Sequence, residues 1–161
     1  MSEIVQADQG GIVHTGSFVP TREQIQRLER ELAQMPQVTD SLPLRHHFAP
    51  GVYMRELTIP AGVMLTGKTH KTAHMNIISA GDITVWTEEG MKRIRAPYTF
   101  MSLPGTKRVG YAHADTVWTT VHVNADDKTD PAEIEADVID HASEQVLDLP
   151  GGQPALTGGD A

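Results

Sequence analysis

Hydrophobic positions follow two different rhythms along the chain. Between residues 21 and 36, Ile25, Leu28, Leu32 and Met35 recur at intervals of three and four, the period of a helix with one apolar stripe. The stretch TREQ has capping-box spacing, with Thr21 as the cap and Gln24 three residues on, and Pro36 stops the run, which predicts an amphipathic helix of about four turns. From Leu44 to Val123 the rhythm changes to short runs rich in Val, Ile, Thr and Tyr: VYMRELTIPAG, HMNIISAG, DITVWTEEG, MKRIRAP, YTFMSLPG and TVWTTVHV. These are strands at close spacing, with EEGM as a hairpin turn, and no helix separates them. A sandwich or barrel follows. The segment TDPAEIEADVIDHASEQVLDL then starts a second helix, with Asp130 as cap, Pro131 at the first helical position, Glu133 completing the cap, and Ile134, Val138 and Ala142 on one face.

The expected organisation is an arm and amphipathic helix over residues 1–43, a β-barrel over 44–125, and a helix and tail over 126–161. Residues 1–19 are polar and interrupted by glycine, and PGGQPALTGGDA has the composition of a flexible tail. The helical stripe serves mainly to cover the domain's own core, with a subunit interface as its other use.

With 161 residues there is material for one substantial core and not two. The N-terminus has neither a basic start nor an apolar run, and no segment approaches the length of a membrane span, so the expected compartment is the cytoplasm. Cysteine is absent, which leaves His, Asp and Glu as the strong metal-binding side chains. The formal charge of -8 would repel a phosphate backbone, so no nucleic-acid partner is expected. PGTKR is too poor in glycine for a phosphate loop, which argues against a nucleotide cofactor, and there is no Gly-x-Ser-x-Gly.

The stretch GVMLTGKTHKTAHMNIISAG places Gly62, Lys68, His70, His74 and Gly81 at the spacing Gly-x5-Lys-x-His-x3-His-x6-Gly. This resembles the first motif of the cupin superfamily, Gly-x5-His-x-His-x3-Glu-x6-Gly. The segment YTFMSLPGTKRVGYAHA resembles the second, built around a Pro-Gly turn leading into a strand with one more ligand. The run GTKRVGYAHADTVWTTVH is also similar to small cupin-like proteins encoded by tailed bacteriophages. The resemblance covers about residues 50 to 123 and implies a mainly β protein, a cupin-type jelly-roll β-barrel with flanking N- and C-terminal α-helices. A bacteriophage origin would make the virion an alternative location.

Three of the four usual ligand positions depart from the family. Lys68 stands for the first His, His74 for the Glu, and the second-motif His falls on Val109, or on Arg108 if the turn is one residue shorter. In the fold that the resemblance implies, the strand bearing His74 lies beside the final strand, so His122 is expected to complete a three-His set with His70 and His74. Such a set suits a divalent transition metal such as zinc, iron, nickel or manganese. His113 is the other candidate for third ligand, and Asn76, on the same strand face as His74, is a possible oxygen donor. Lys68 and Arg108 either orient an anionic group at this site or run out to solvent. His14, His46, His47 and His141 read as surface residues, Asp82, Glu88 and Glu89 as a solvated turn, and Trp86 and Trp118 as packing.

Two functions remain open on the sequence: a barrel that binds a metal or small anionic ligand, and a structural or assembly module such as a phage-particle component. Both predict a homo-oligomer, a dimer or larger, and the second adds other subunits of an assembly, because exposed sheet faces and edges need cover.

Overall fold

The computed structural model describes residues 10–38 and 41–145, so the expected tail and the first residues of the arm lie outside the described part. In chain order the elements are β1 (Gly11–Gly16), α1 (Arg22–Leu32), β2 (Leu44–Ala49), β3 (Gly51–Ile59), β4 (Met64–Gly67), β5 (His74–Thr87), β6 (Gly90–Arg95), β7 (Tyr98–Ser102), β8 (Arg108–Asn124), α2 (Pro131–Val138) and α3 (His141–Gln145). Every strand pairing is antiparallel. The fold is a mainly antiparallel β-barrel with a few short helices.

Two long strands build it. β5 pairs with β8 along most of its length, and the register shifts between Ile78 and Ile83. On one side of that bend β5 pairs with β7 and β8 with β3, which carries β2. On the other side β5 pairs with β6, which carries β1, and β8 with β4. One buried cluster, including Leu57, Leu65, Ile78, Ile83, Ile94 and Trp118, draws on both halves and closes the barrel around itself. The bend depends on Gly81, whose φ is +99° and whose α-carbon faces Thr116 so closely that a Cβ would lie 2.4 Å from its hydroxyl oxygen.

The capping box at Thr21 is present in both directions: the Thr21 hydroxyl accepts from Gln24 N, and Gln24 Oε1 accepts from Thr21 N. α1 ends at Leu32, one turn short of the sequence expectation, and Met35 is exposed. The helix instead buries Ile25 and an acid, Glu29, against the barrel. The EEGM turn is a two-residue hairpin at Glu88 and Glu89, since Thr87 pairs with Gly90. Asp130 caps α2 by accepting from Ala132 N. The second helix is broken at Ile139, whose extended backbone separates α2 from α3. The polar segment Gly11–Gly16 forms an edge strand, which its composition did not announce.

Candidate metal centre

Over one stretch of the barrel the usual strand alternation is reversed. His74, Asn76, Thr120, His122 and Tyr53 are buried, while Met75, Met101 and Val123, which alternate with them, are exposed. Because neighbouring residues point to opposite faces of a sheet, this end of the barrel is polar inside and apolar outside.

His74 opens β5, and His122 lies near the end of β8 beside it, since Met75 pairs with Val121. His70 comes from the turn before β5. Its carbonyl accepts from Gly105 N in the Pro-Gly turn at 2.9 Å, which ties the two motif turns together. An antiparallel bridge joins His70 to Ile139, flanked by Lys71 N to Val138 O and Asp140 N to Thr69 O, both 2.8 Å.

These constraints bring the three rings together, with centroids 4.1 Å apart for His70 and His74, 5.1 Å for His70 and His122, and 4.9 Å for His74 and His122. One ligating nitrogen from each lies within 4.8 Å of the others. His70 Nδ1, His74 Nε2 and His122 Nδ1 are buried without a hydrogen-bond partner. Buried polar atoms are rarely left so, because desolvation costs energy that no contact returns. His74 Nδ1 lies 3.4 Å from Thr72 O, and His70 is held by the backbone of Lys68. Those contacts favour the N–H of His70 and His74 on the nitrogen opposite the unpartnered one, as backbone carbonyls do around metal-ligating histidines.

All three rings are held neutral. Burial lowers His70 to about 2, helped by the neighbouring His74, His122 and Arg108. His74 and His122 are each lowered to about 4, again chiefly by burial, with Arg108 and His122 adding to the first and Arg55 and Arg108 to the second. Three neutral imidazoles, each with a buried unpartnered nitrogen, fit a borderline divalent metal.

Of the two readings of the second motif, Arg108 is the residue that reaches the centre's surroundings. It is 2% exposed, with Nη1 donating to Asn76 Oδ1 at 3.2 Å and Nη2 to Ser102 Oγ at 2.5 Å, and the guanidinium stands over Trp118 at 5.4 Å. Burial lowers it to about 10, so it is a cation at neutral pH. No carboxylate pairs with it among the described residues. Val109 faces α1 together with Ile25 and Leu28. Asn76 is fully buried and used by the protein, accepting from Arg108 and Trp118 and donating to Ser102, so its oxygen is not turned to the histidines. The Lys68 ammonium meets Glu135 of α2 at 2.5 Å. His113 is exposed and bonded to Thr84, away from the triad.

A cavity of about 280 Å³ opens beside the triad, lined by His70, His122, Thr120, Tyr53 and Arg55 and covered by α2 through Glu135 and Val138. Tyr53 stacks on His122 with centroids 6.2 Å apart and shares a 2.7 Å hydrogen bond with His46 Nδ1. The strand pattern of VYMRELTI shows that Tyr53 and Arg55 share a face, but only the pairing of Tyr53 with His122 shows that this face is the inner one. His46, which reads as a surface residue in LRHHFAP, belongs to the same wall.

No family model matches the chain, and no curated protein matches it. Among solved structures it is similar to salicylate 1,2-dioxygenase from Pseudaminobacter salicylatoxidans, at 10% identity and TM-score 0.47, over 60% of this chain and 30% of that one. It is similar to KdgF from Halomonas sp., at 14% identity and TM-score 0.47, over 57% of this chain and 89% of that one. A cupin-2 domain containing protein from Shewanella frigidimarina aligns at 8% identity and TM-score 0.44, over 60% of this chain and 92% of that one.

Proposed function

We propose that this chain is a cupin-fold protein that binds one divalent transition metal through His70, His74 and His122, with a small anionic ligand beside it. The observation that carries the reading is the set of three buried imidazoles that each offer one ligand atom within 4.8 Å of the others and each keep a buried nitrogen without a partner. A metal bound there would supply Lewis-acid polarisation to whatever fills its remaining positions. The chain's own residues do the rest. Backbone groups at Lys68 and Thr72 orient His70 and His74, and α2 restricts access to the cavity. Arg108 adds a permanent positive charge to a site whose ligand set is neutral, which favours an anion over a neutral guest. Zinc, iron, nickel and manganese all suit the set, and no reaction is assigned, since fold alone licenses none.

Metal analysis of protein purified without a His tag tests this. Near-stoichiometric metal is expected, lost in His70→Ala and in His122→Ala while both remain folded. Wild-type protein that stays metal-free after incubation with each of the four ions sinks the proposal.

A second reading is favoured by the outward apolar face. Met101, Met75, Val121 and Met54 form one row across β7, β5, β8 and β3, with Val123 beside it at 81% exposure. An uncharged row of this kind on a chain of net charge -8 is where two copies approach without opposing carboxylates. The reading is a self-associating module, such as a component of a bacteriophage particle. Mass measurement in solution tests it: a dimer or larger that Met75→Asp converts to monomer supports it, and a wild-type monomer removes it.

A further inference from the structure

His74 and His122 lie on the two long strands, whereas His70 lies in the turn before β5, where an isolated bridge to Ile139 stands in for a ladder. The position of its ring therefore depends on contacts made to that turn from elsewhere in the chain. Thr69, the residue before it, donates its N–H to Glu144 Oε1 of α3 at 2.8 Å. Arg22 of α1 reaches the same residue, with Nη1 3.5 Å from Thr69 Oγ1, and donates through Nη2 to Gly105 O.

Glu144 is itself aimed by a buried charge. Its Oε2 accepts from Lys107 Nζ at 2.8 Å, and the same ammonium donates to Glu29 Oε1 of α1 at 2.9 Å. Thr66 Oγ1, in β4, donates to that Glu29 oxygen at 2.9 Å. Lys107 and Glu29 are 2% and 4% exposed. Buried ion pairs are a poor source of net stability, because desolvation offsets much of their attraction. What this one supplies is direction: the ammonium fixes one oxygen of Glu144 and leaves the other for Thr69 N, in a charge-assisted bond stronger than a neutral one. Lys107 follows shortly after the Pro-Gly turn, whose Gly105 N donates to His70 O at 2.9 Å. The second motif turn thus reaches the first by two routes, directly through Gly105 and indirectly through Lys107 and Glu144.

We propose that Glu144, aimed by Lys107, is a positioning residue of the metal centre, acting on affinity for the ion through Thr69 and the His70 turn. The inference rests on the reading of His70, His74 and His122 as ligands. His74 and His122 are fixed by the pairing of β5 with β8, so loss of Glu144 loosens one donor of the three and leaves the other two in register. Groups that orient ligands without touching the metal govern roughly 10- to 100-fold in affinity, and an effect relayed through the backbone belongs at the lower end, about tenfold.

The test compares wild type, Glu144→Ala and Glu144→Gln by zinc competition with a chromogenic chelator and, in the metal-free chain, by the nitrogen resonances of the histidine rings. Lys107 keeps Glu29 as its counter-ion in both variants, so neither strands the buried ammonium. Glu144→Ala should weaken zinc binding about tenfold, and should shift or broaden the His70 ring signals more than those of His74 and His122. Glu144→Gln retains an oxygen for Thr69 N and should restore most of both. A uniform loss of stability would lower the melting temperature without singling out His70. A Glu144→Ala protein that binds zinc as tightly as wild type, or whose His70 signals do not move, overturns this proposal alone. Wild-type protein that takes up no zinc overturns the metal reading and this one with it, and is recognised before any variant is compared.

Discussion

Asn76 Oδ1 receives two donors at once, Arg108 Nη1 at 3.2 Å and Trp118 Nε1 at 2.9 Å. This one buried oxygen is therefore the acceptor for the barrel's largest buried aromatic and for the cation beside the histidines. Replacing it by a shape-matched apolar group strands two donors, each costing about 1–3 kcal/mol. Asn76→Leu should lose about 3 kcal/mol or more in urea denaturation. Asn76→Asp keeps an acceptor opposite both donors and should recover most of that loss.

The metal-free triad makes stability depend on pH in a defined direction. His70, His74 and His122 sit at about 2, 4 and 4 in the folded chain, against 6.5 for an ordinary histidine. On acidification the unfolded chain takes up protons first, so the stabilisation is complete above about pH 6.5 and declines as pH falls toward 4. The melting temperature of the metal-free protein should drop between pH 6.5 and 4.5, before most carboxylates titrate. A His74→Gln, His122→Gln double variant should show a shallower slope over that interval.

Metal should stabilise the fold by mass action. At a free concentration a hundred times the dissociation constant, the gain is about 2.7 kcal/mol. Thermal melts of wild type should therefore rise on adding the preferred ion and return on adding a chelator, and the shift should vanish in each single His→Ala variant of the triad.

Lys107 stands between two buried carboxylates, and removing it leaves both without their cation. Lys107→Met should cost about 3–5 kcal/mol. The triple variant Lys107→Met, Glu29→Gln, Glu144→Gln removes the stranded charges as well, and should regain most of the stability in the same denaturation experiment.

How much of this was legible beforehand depends on the range of the contact. Thr21 and Gln24 are three residues apart, and their box could be read directly. His70 and His74 stood in a recognisable frame, and His122 was expected, with His113 as the other candidate, from the strand that the cupin resemblance puts beside His74. The inward turn of Arg108 rather than Val109 hinged on one residue of register, which flips a side chain to the other face. Lys107 meets Glu29 across 78 positions and Glu144 across 37, and nothing local marks any of them as buried. The placing of α2 along the cavity is equally tertiary: Glu135 lies on a helix whose cap was readable but whose resting place was not.

The bridge from His70 to Ile139 orders events in time as well as in space. A nascent chain that has emerged only as far as Asn124 already has every strand of the barrel, yet the turn bearing His70 still lacks the segment that clamps it from above. A chain that ends at Asn124 therefore holds the His70 turn on one side only, through Gly105, and the second hold arrives with residues 138–140.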